Sequence, residues 1–380
     1  MRWRIDYVGV GVGLALGLSL AGQAQASNGR YPGLGMDYST AIQYDFSGLD
    51  VPHQPHTVTT NGYFDITTAV HFRLTTIDEI WVGSEVSPVT DTRPGERRWL
   101  GGTGLNITDV NWYHQGYVSS FRLGKYDVPF GRAQNAAPGL YTSDFVAPYA
   151  LGGMNGGTYE YRFYTDNWGT IAPSLSVYAA DTSVLSRSFL RPSQQARRAD
   201  GGATNTGKLN NAAAVVNWRA PAAIPYLEVQ VGYMSNHKGD VSAGSPTAAN
   251  EQMRAASVRY MIPFVPTTDL GPTLAGRYLD LVPFVEYVKV HNENGVPGFD
   301  TEYLTTSLTF DAGRFAYGLT HTNKQISPTG ASRYNEYLTE ASMVYHVTGL
   351  VDLALSGGRS RQGGQTSGLL GVSITLNGSF

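Results

Sequence analysis

Tyr63-Phe64-Asp65-Ile66-Thr67-Thr68-Ala69-Val70-His71-Phe72-Arg73-Leu74 decides how this chain is read. One parity carries Phe64, Ile66, Thr68, Val70, Phe72 and Leu74. The other carries Tyr63, Asp65, Thr67, Ala69, His71 and Arg73. Successive side chains of a strand point to opposite faces, so one face is apolar and the other mostly polar. The run exceeds the usual strand of about five or six residues. It suits a tilted strand crossing a bilayer, which needs about 9–11.

The same alternation recurs along the chain. It predicts strands near 36–46, 63–74, 77–87, 105–114, 117–126, 158–166, 169–180, 210–219, 226–236, 251–262, 278–290, 302–311, 314–323, 336–347, 350–359 and 368–380. Strand 105–114 fits either facing. The total is even, as a closed bacterial barrel requires, although loose edges leave fourteen or eighteen strands compatible. Connection lengths alternate too. Short turns fall at Thr75-Thr76, Gln115-Gly116, Asp166-Asn167-Trp168, Asp311-Ala312-Gly313 and Thr348-Gly349. Long loops are expected at 47–62, 88–104, 127–157, 181–209, 237–250, 291–301, 324–335 and 360–367. The proline-bearing connection 263–277 breaks the alternation. Short periplasmic turns and long extracellular loops are the habit of outer-membrane barrels. Phe72, Phe163, Trp218, Tyr260, Phe310, Phe315, Tyr345 and Phe380 keep apolar parity near short-turn ends, as an interfacial girdle would.

Composition agrees. Glycine (45) and tyrosine (24) are abundant and only 15% of residues are charged, which reads as all-β. No apolar run after the first 26 residues reaches about 18. There is no cysteine, so an exported chain would not be stapled by disulfides. The N-terminus reads as a secretory signal over residues 1–26: Arg2 and Arg4, then apolar Val8 to Leu20, then Ala24-Gln25-Ala26 as a small-x-small cleavage site. An anchor helix is the competing reading, but the apolar run is short for it. Removing Arg2, Arg4 and Asp6 makes the formal net charge of −3 one unit more negative, which does not suggest a nucleic-acid partner. Residues 27–380 are then one transmembrane β-barrel. About nine residues would precede its first strand, too few for a plug domain, so transport should be passive.

A barrel of about sixteen strands is too wide for side chains to fill and leaves an aqueous channel. Function then lies in what lines and narrows it. The segment 127–157 is the candidate constriction. It leaves the strand Phe121-Arg122-Leu123-Gly124-Lys125 and runs to the glycines Gly152-Gly153-Met154-Asn155-Gly156-Gly157. Parity and position give the lining candidates Arg73, Glu79, Arg122, Lys125, Asp127, Arg132, Asp144, Arg162, Arg259 and Glu286, with further inward acids at Glu85, Glu160, Glu228, Asp280, Glu340 and Asp352. The early wall reads as mixed with arginines and the late wall as acid-rich. The loop 181–209 carries Arg187, Arg191, Arg197, Arg198 and Lys208. It reads as a solvated surface, or else as an external anion funnel or a contact for lipopolysaccharide phosphates.

The final strand, with Leu370, Val372, Ile374, Leu376 and Phe380 on one parity, resembles the C-terminal signal of Gram-negative outer-membrane proteins, which implies recognition by barrel-assembly machinery. The third long loop matches, in rank and length, the inward loop of the sixteen-stranded porins. That resemblance implies a homotrimer in the outer membrane, in contact with its lipids and lipopolysaccharide and passing small hydrophilic solutes or ions. Arg122 to Gly131, ending Pro129-Phe130-Gly131, is similar to the phosphate-selective porin group over ten residues. The dense lysine lining of that group has no counterpart here.

Other classes fare worse. His53-Gln54-Pro55-His56 is split by proline and lacks a nearby carboxylate or cysteine, so no metal and no cofactor is expected. No His-Glu-x-x-His, Gly-x-Ser-x-Gly or Walker run appears. A barrel enzyme of lipase or protease type and a secreted soluble β-rich binding protein remain the alternatives, and no catalytic residue is assigned.

Overall fold

The computed structural model describes residues 31–50, 57–90, 92–191, 195–239, 248–265 and 279–379. The signal-like segment 1–26, His53, His56, most of the connection 263–277, and Phe380 lie outside them.

Sixteen antiparallel strands form one closed wall. They are β1 (Gly33–Asp50), β2 (Thr57–Arg73), β3 (Asp78–Pro88), β4 (Thr103–Gln115), β5 (Ser119–Val128), β6 (Leu151–Tyr161, resuming at Phe163–Thr165), β7 (Gly169–Ala179) and β8 (Asn211–Arg219). Then follow β9 (Leu227–Asn236), β10 (Glu251–Tyr260, resuming at Ile262–Val265), β11 (Leu279–His291), β12 (Asp300–Ala312), β13 (Phe315–Ser327), β14 (Tyr334–His346), β15 (Val351–Gln362) and β16 (Gln365–Ser379). Each strand pairs with its neighbours in sequence. β1 pairs with β16 from Asp37↔Ser379 to Asp50↔Thr366 and closes the barrel. The wall thereby closes without a free edge, the condition for a sheet in hydrocarbon.

The lipid-facing parity is apolar and exposed. Leu123, Leu175, Val231, Val258, Leu308, Leu319, Leu355 and Val372 all stand on it. A soluble domain rarely exposes such a continuous band. Among the girdle candidates, Phe72, Phe163, Phe310 and Phe315 are exposed on this side near the short-turn end.

Several expected boundaries shift. The expected long loop 360–367 is a two-residue hairpin, Gly363-Gly364, because both glycines take positive φ (56° and 79°) and form the tight turn that two adjoining strands favour. Likewise β1 and β2 run to Asp50 and from Thr57, and β13 and β14 to Ser327 and from Tyr334, so loops 47–62 and 324–335 are shorter than expected. The glycine run at the end of the third loop is strand: β6 begins at Leu151. Glycine is needed there because a Cβ on Gly156 would lie 2.2 Å from the Val177 carbonyl oxygen. The ambiguous facing of strand 105–114 also has a cause. Gly83 pairs with Asp109 but Ser84 with Ile107, leaving Thr108 as an extra bulged residue that resets the parity.

Candidate functional site

The third long connection, between β5 and β6, builds two short helices, α1 (Ala133–Ala136) and α2 (Thr142–Val146), and a 3-10 turn, Ala147–Tyr149. Neither helix has a side-chain cap. Helices this short are not stable alone, so their shape rests on contacts with the wall.

Those contacts are apolar on one side. Phe130, Ala133, Val146 and Tyr149 of the connection form one buried cluster with Ala213, Val215, Met234, Met253, Ala255, Phe284, Val288 and Tyr303 of β8 to β12. The wall residues alternate with exposed lipid-facing ones, so the cluster lies on the opposite, inner face. Glycines make room for it. Gly232 lies under Phe130, with its Cβ position 3.2 Å from the ring, and Gly318 under Pro138, at 2.5 Å.

Two carboxylates then take up the connection's backbone. Glu286 of β11 accepts from the amides of Arg132 and Ala133 and from the Tyr149 hydroxyl, the last at 2.7 Å. Glu340 of β14 accepts from the amides of Leu140 and Tyr141 and from the hydroxyls of Thr142 and Ser356. Each glutamate is 1% exposed. The Pro138 carbonyl accepts from Thr320 of β13, and Tyr141 donates to Asp45 of β1 at 3.1 Å. A buried anion is costly unless several donors converge on it, and these donors come chiefly from α1, α2 and the residues before them.

This corrects the expectation that Glu286 and Glu340 belong to an open acidic wall. They are covered and tied to the connection. Lys125 is also misplaced as a lining residue. It shares the outward parity of Leu123 and is buried at 6% exposure beneath the β7–β8 connection. There its ammonium donates to Asp181 and to the Leu185 carbonyl, both at 2.8 Å. Burial alone would raise the Asp181 carboxyl, but the hydrogen bonds from Lys125 and Ser183 hold it below the usual range.

Of the other candidates, some form three ion-paired groups, and Arg122 and Asp127 stand apart from them. Arg73 pairs with Glu79 at 3.2 Å beside the β2–β3 turn. Arg132 bonds to Glu228, which Arg219 (3.3 Å) and Arg259 (4.0 Å) also approach. Arg162 pairs with Glu160 at 2.7 Å, and both groups border one cleft of about 430 Å³. Arg122 stands over the rings of Tyr113 and Tyr126, at 5.0 and 5.9 Å from their centroids. Asp127 is exposed and accepts from the Gly153 amide at 2.7 Å.

Asp144 on α2 faces acids from several walls. Its carboxyl is pushed up first by burial and then by the charges of Asp45, Glu85 and Glu340. Asp45 and Asp65 were absent from the lining candidates, although Asp65 and Tyr63 stand on the polar parity of the very stretch that decided the fold. The apolar seat was missed too. Its signal was available: in β11 the inward parity reads Val282, Phe284, Val288 and Val290 while the outward parity is also apolar.

No family model and no curated protein matches the sequence. Solved structures do match in shape. An anion-selective porin from Comamonas acidovorans aligns with TM-score 0.53 at 11% identity, covering 91% of this chain and 100% of that one. Pseudomonas putida OprB aligns with TM-score 0.56 at 12% identity, covering 91% and 94%. Salmonella typhi OmpF aligns with TM-score 0.56 at 9% identity, covering 90% and 97%. With its closed sixteen-stranded wall, apolar outside and partly polar within, the chain has the fold of the Gram-negative outer-membrane porins.

Proposed function

We propose that this protein is an outer-membrane porin, a passive channel for small hydrophilic solutes or ions, acting as a homotrimer without cofactor or catalytic role. The observation that carries the reading is the inner anchoring of the β5–β6 connection. A loop held on one interior wall by an apolar seat and two buried carboxylates is built to narrow a channel. Export and assembly would use the N-terminal signal and the last strand.

The free path would run along β1 to β5, of which only Tyr126 and Val128, at the end of β5, join the seat. Asp45, Asp65, Glu85 and Asp144 approach one another there, as their mutual influence on Asp65 and Asp144 implies, while Arg122 on β5 stands over the Tyr113 and Tyr126 rings. Carboxylates in a narrow aqueous gap attract cations and repel anions. The channel therefore favours cations and neutral polar solutes. Single-channel recording in planar bilayers under a KCl gradient tests both parts. A conducting channel with a cation-selective reversal potential is expected. Absence of conductance would break the porin reading, and anion selectivity would break the charge assignment alone.

A further inference from the structure

The outer surface holds a second set of arginines that the channel does not use. Strand register arranges lipid-facing residues in rows. Leu308, Leu319, Ala341, Gly357 and Leu370 make one row across β12 to β16, and it is apolar. The next row toward the long-loop rim is Thr306, His321, Thr339, Arg359 and Gly368, and the one above it is Leu304, Asn323, Tyr337, Arg361 and Thr366. On β15 and β16 the apolar belt thus ends directly below Arg359, while Leu304 carries it one row past that level on β12. Arg333, in the β13–β14 connection, joins Arg361 at the edge of a cleft of about 700 Å³ shared with Gln325, Asn335 and the Gly363-Gly364 turn.

All three arginines are exposed, and none makes a salt bridge within the described residues. Glu302, which feels the charge of Arg333, is bonded to Lys289 at 2.7 Å. Open space flanks Arg359, since a Cβ on Gly368 would meet nothing within 4 Å. Unpaired guanidinium groups just above a hydrocarbon belt stand at headgroup level, where their planar donors match phosphate oxygens in bidentate fashion. Neutral polar side chains would satisfy hydration there equally well, so the concentration of positive charge marks an anionic partner. The face lies outside the barrel, which excludes a solute in transit. Leu319 and Leu370 beneath it offer the apolar surface an acyl chain needs.

We propose that Arg333, Arg359 and Arg361 form a binding site for the phosphates of an outer-leaflet lipid. The inference rests on the porin reading, which directs the long-loop rim outward. The test is native mass spectrometry of the delipidated protein titrated with a diphosphorylated glycolipid, its dephosphorylated form, and inorganic phosphate. The diphosphorylated lipid should be retained and the dephosphorylated form lost. Arg359→Ala and Arg361→Ala should each weaken retention by about fivefold, with partial recovery in the lysine variants. Equal retention by wild type and the double variant would overturn the site. Displacement of the lipid by inorganic phosphate at equal concentration would overturn its assignment to a lipid. Conductance in phospholipid bilayers should be the same for both proteins. A wild-type channel that conducts but shows no lipid preference sinks the site alone, whereas a non-conducting wild type sinks the porin reading.

Discussion

The walls β1 to β5 and β8 to β12 look alike from the lipid and differ inside. Both present alternating apolar side chains outward. On the first wall the inward set is Asp45, Tyr63, Asp65, Glu85 and Arg122. On the second it is Val215, Met234, Met253, Phe284 and Val288, covered by the connection that leaves β5. One sheet therefore serves as a channel lining on one arc and as half of a hydrophobic core on another. The difference shows that inward parity in a wide barrel does not mean contact with water. What decides is whether a loop has been given a seat.

The contrast can be broken most directly by removing the covering segment. Deleting Ala133 to Tyr149 should raise single-channel conductance several-fold while the barrel still assembles, as heat-modifiable gel mobility would register. Unchanged conductance would place the segment outside the conduit. A smaller effect is expected from Glu340→Ala. It strands the Leu140 and Tyr141 amides, at about 1–3 kcal/mol for each buried donor left unsatisfied. The segment's tip should detach while Glu286 holds its base, giving a noisier and larger current. A quiet wild-type current would show that the apolar seat suffices by itself.

Charge on the open side sharpens the comparison further. Asp144→Asn should reduce cation preference, read as a shift of reversal potential, with little change in conductance. Because burial and neighbouring acids raise the Asp144 carboxyl, its charge should be lost as pH falls toward the ordinary aspartate range, before unperturbed carboxylates titrate. Cation preference should therefore decline early on acidification, and the Asn variant should show a smaller early phase, the remainder belonging to its acidic neighbours Asp45 and Asp65. The smallest effect on current belongs to Lys125→Ala, which unlatches the β7–β8 connection and should loosen its backbone enough for trypsin to cut faster at Arg187 and Arg191, whose side chains are already exposed. Asp181 sits below the usual range, so the latch is complete above ordinary carboxylate values and fails only as pH falls through its lowered one. Mild acid should leave the protease pattern of the wild type unchanged.

The fold was legible because a period of two writes itself into every spanning strand. Alternation at Tyr63 to Leu74 suffices to set the facing, and its repetition sets the strand number. Loop lengths were less legible, since strands continue past the membrane wherever a turn such as Gly363-Gly364 permits it. The site was legible only in part. Parity put Glu286 and Glu340 on the correct face, but their cover comes from a segment more than a hundred residues away in sequence. Lys125 was misread because it lies near a strand end, where its lipid-facing parity is hidden by a connection folding over it. Asp65 was passed over although it was in plain view, because one aspartate on a polar face carries no mark of its neighbours in other strands.

The seam between β1 and β16 sets a kinetic condition on this molecule. It joins Asp37 to Ser379 and continues register by register to Asp50 and Thr366. Pairings so distant in sequence form slowly, since chain entropy must be lost before they reward it. Until that moment the wall has two long unpaired edges, each a template for a foreign strand. The hazard ends only when β16 meets β1, so the half-built sheet must be sheltered for most of its time of formation.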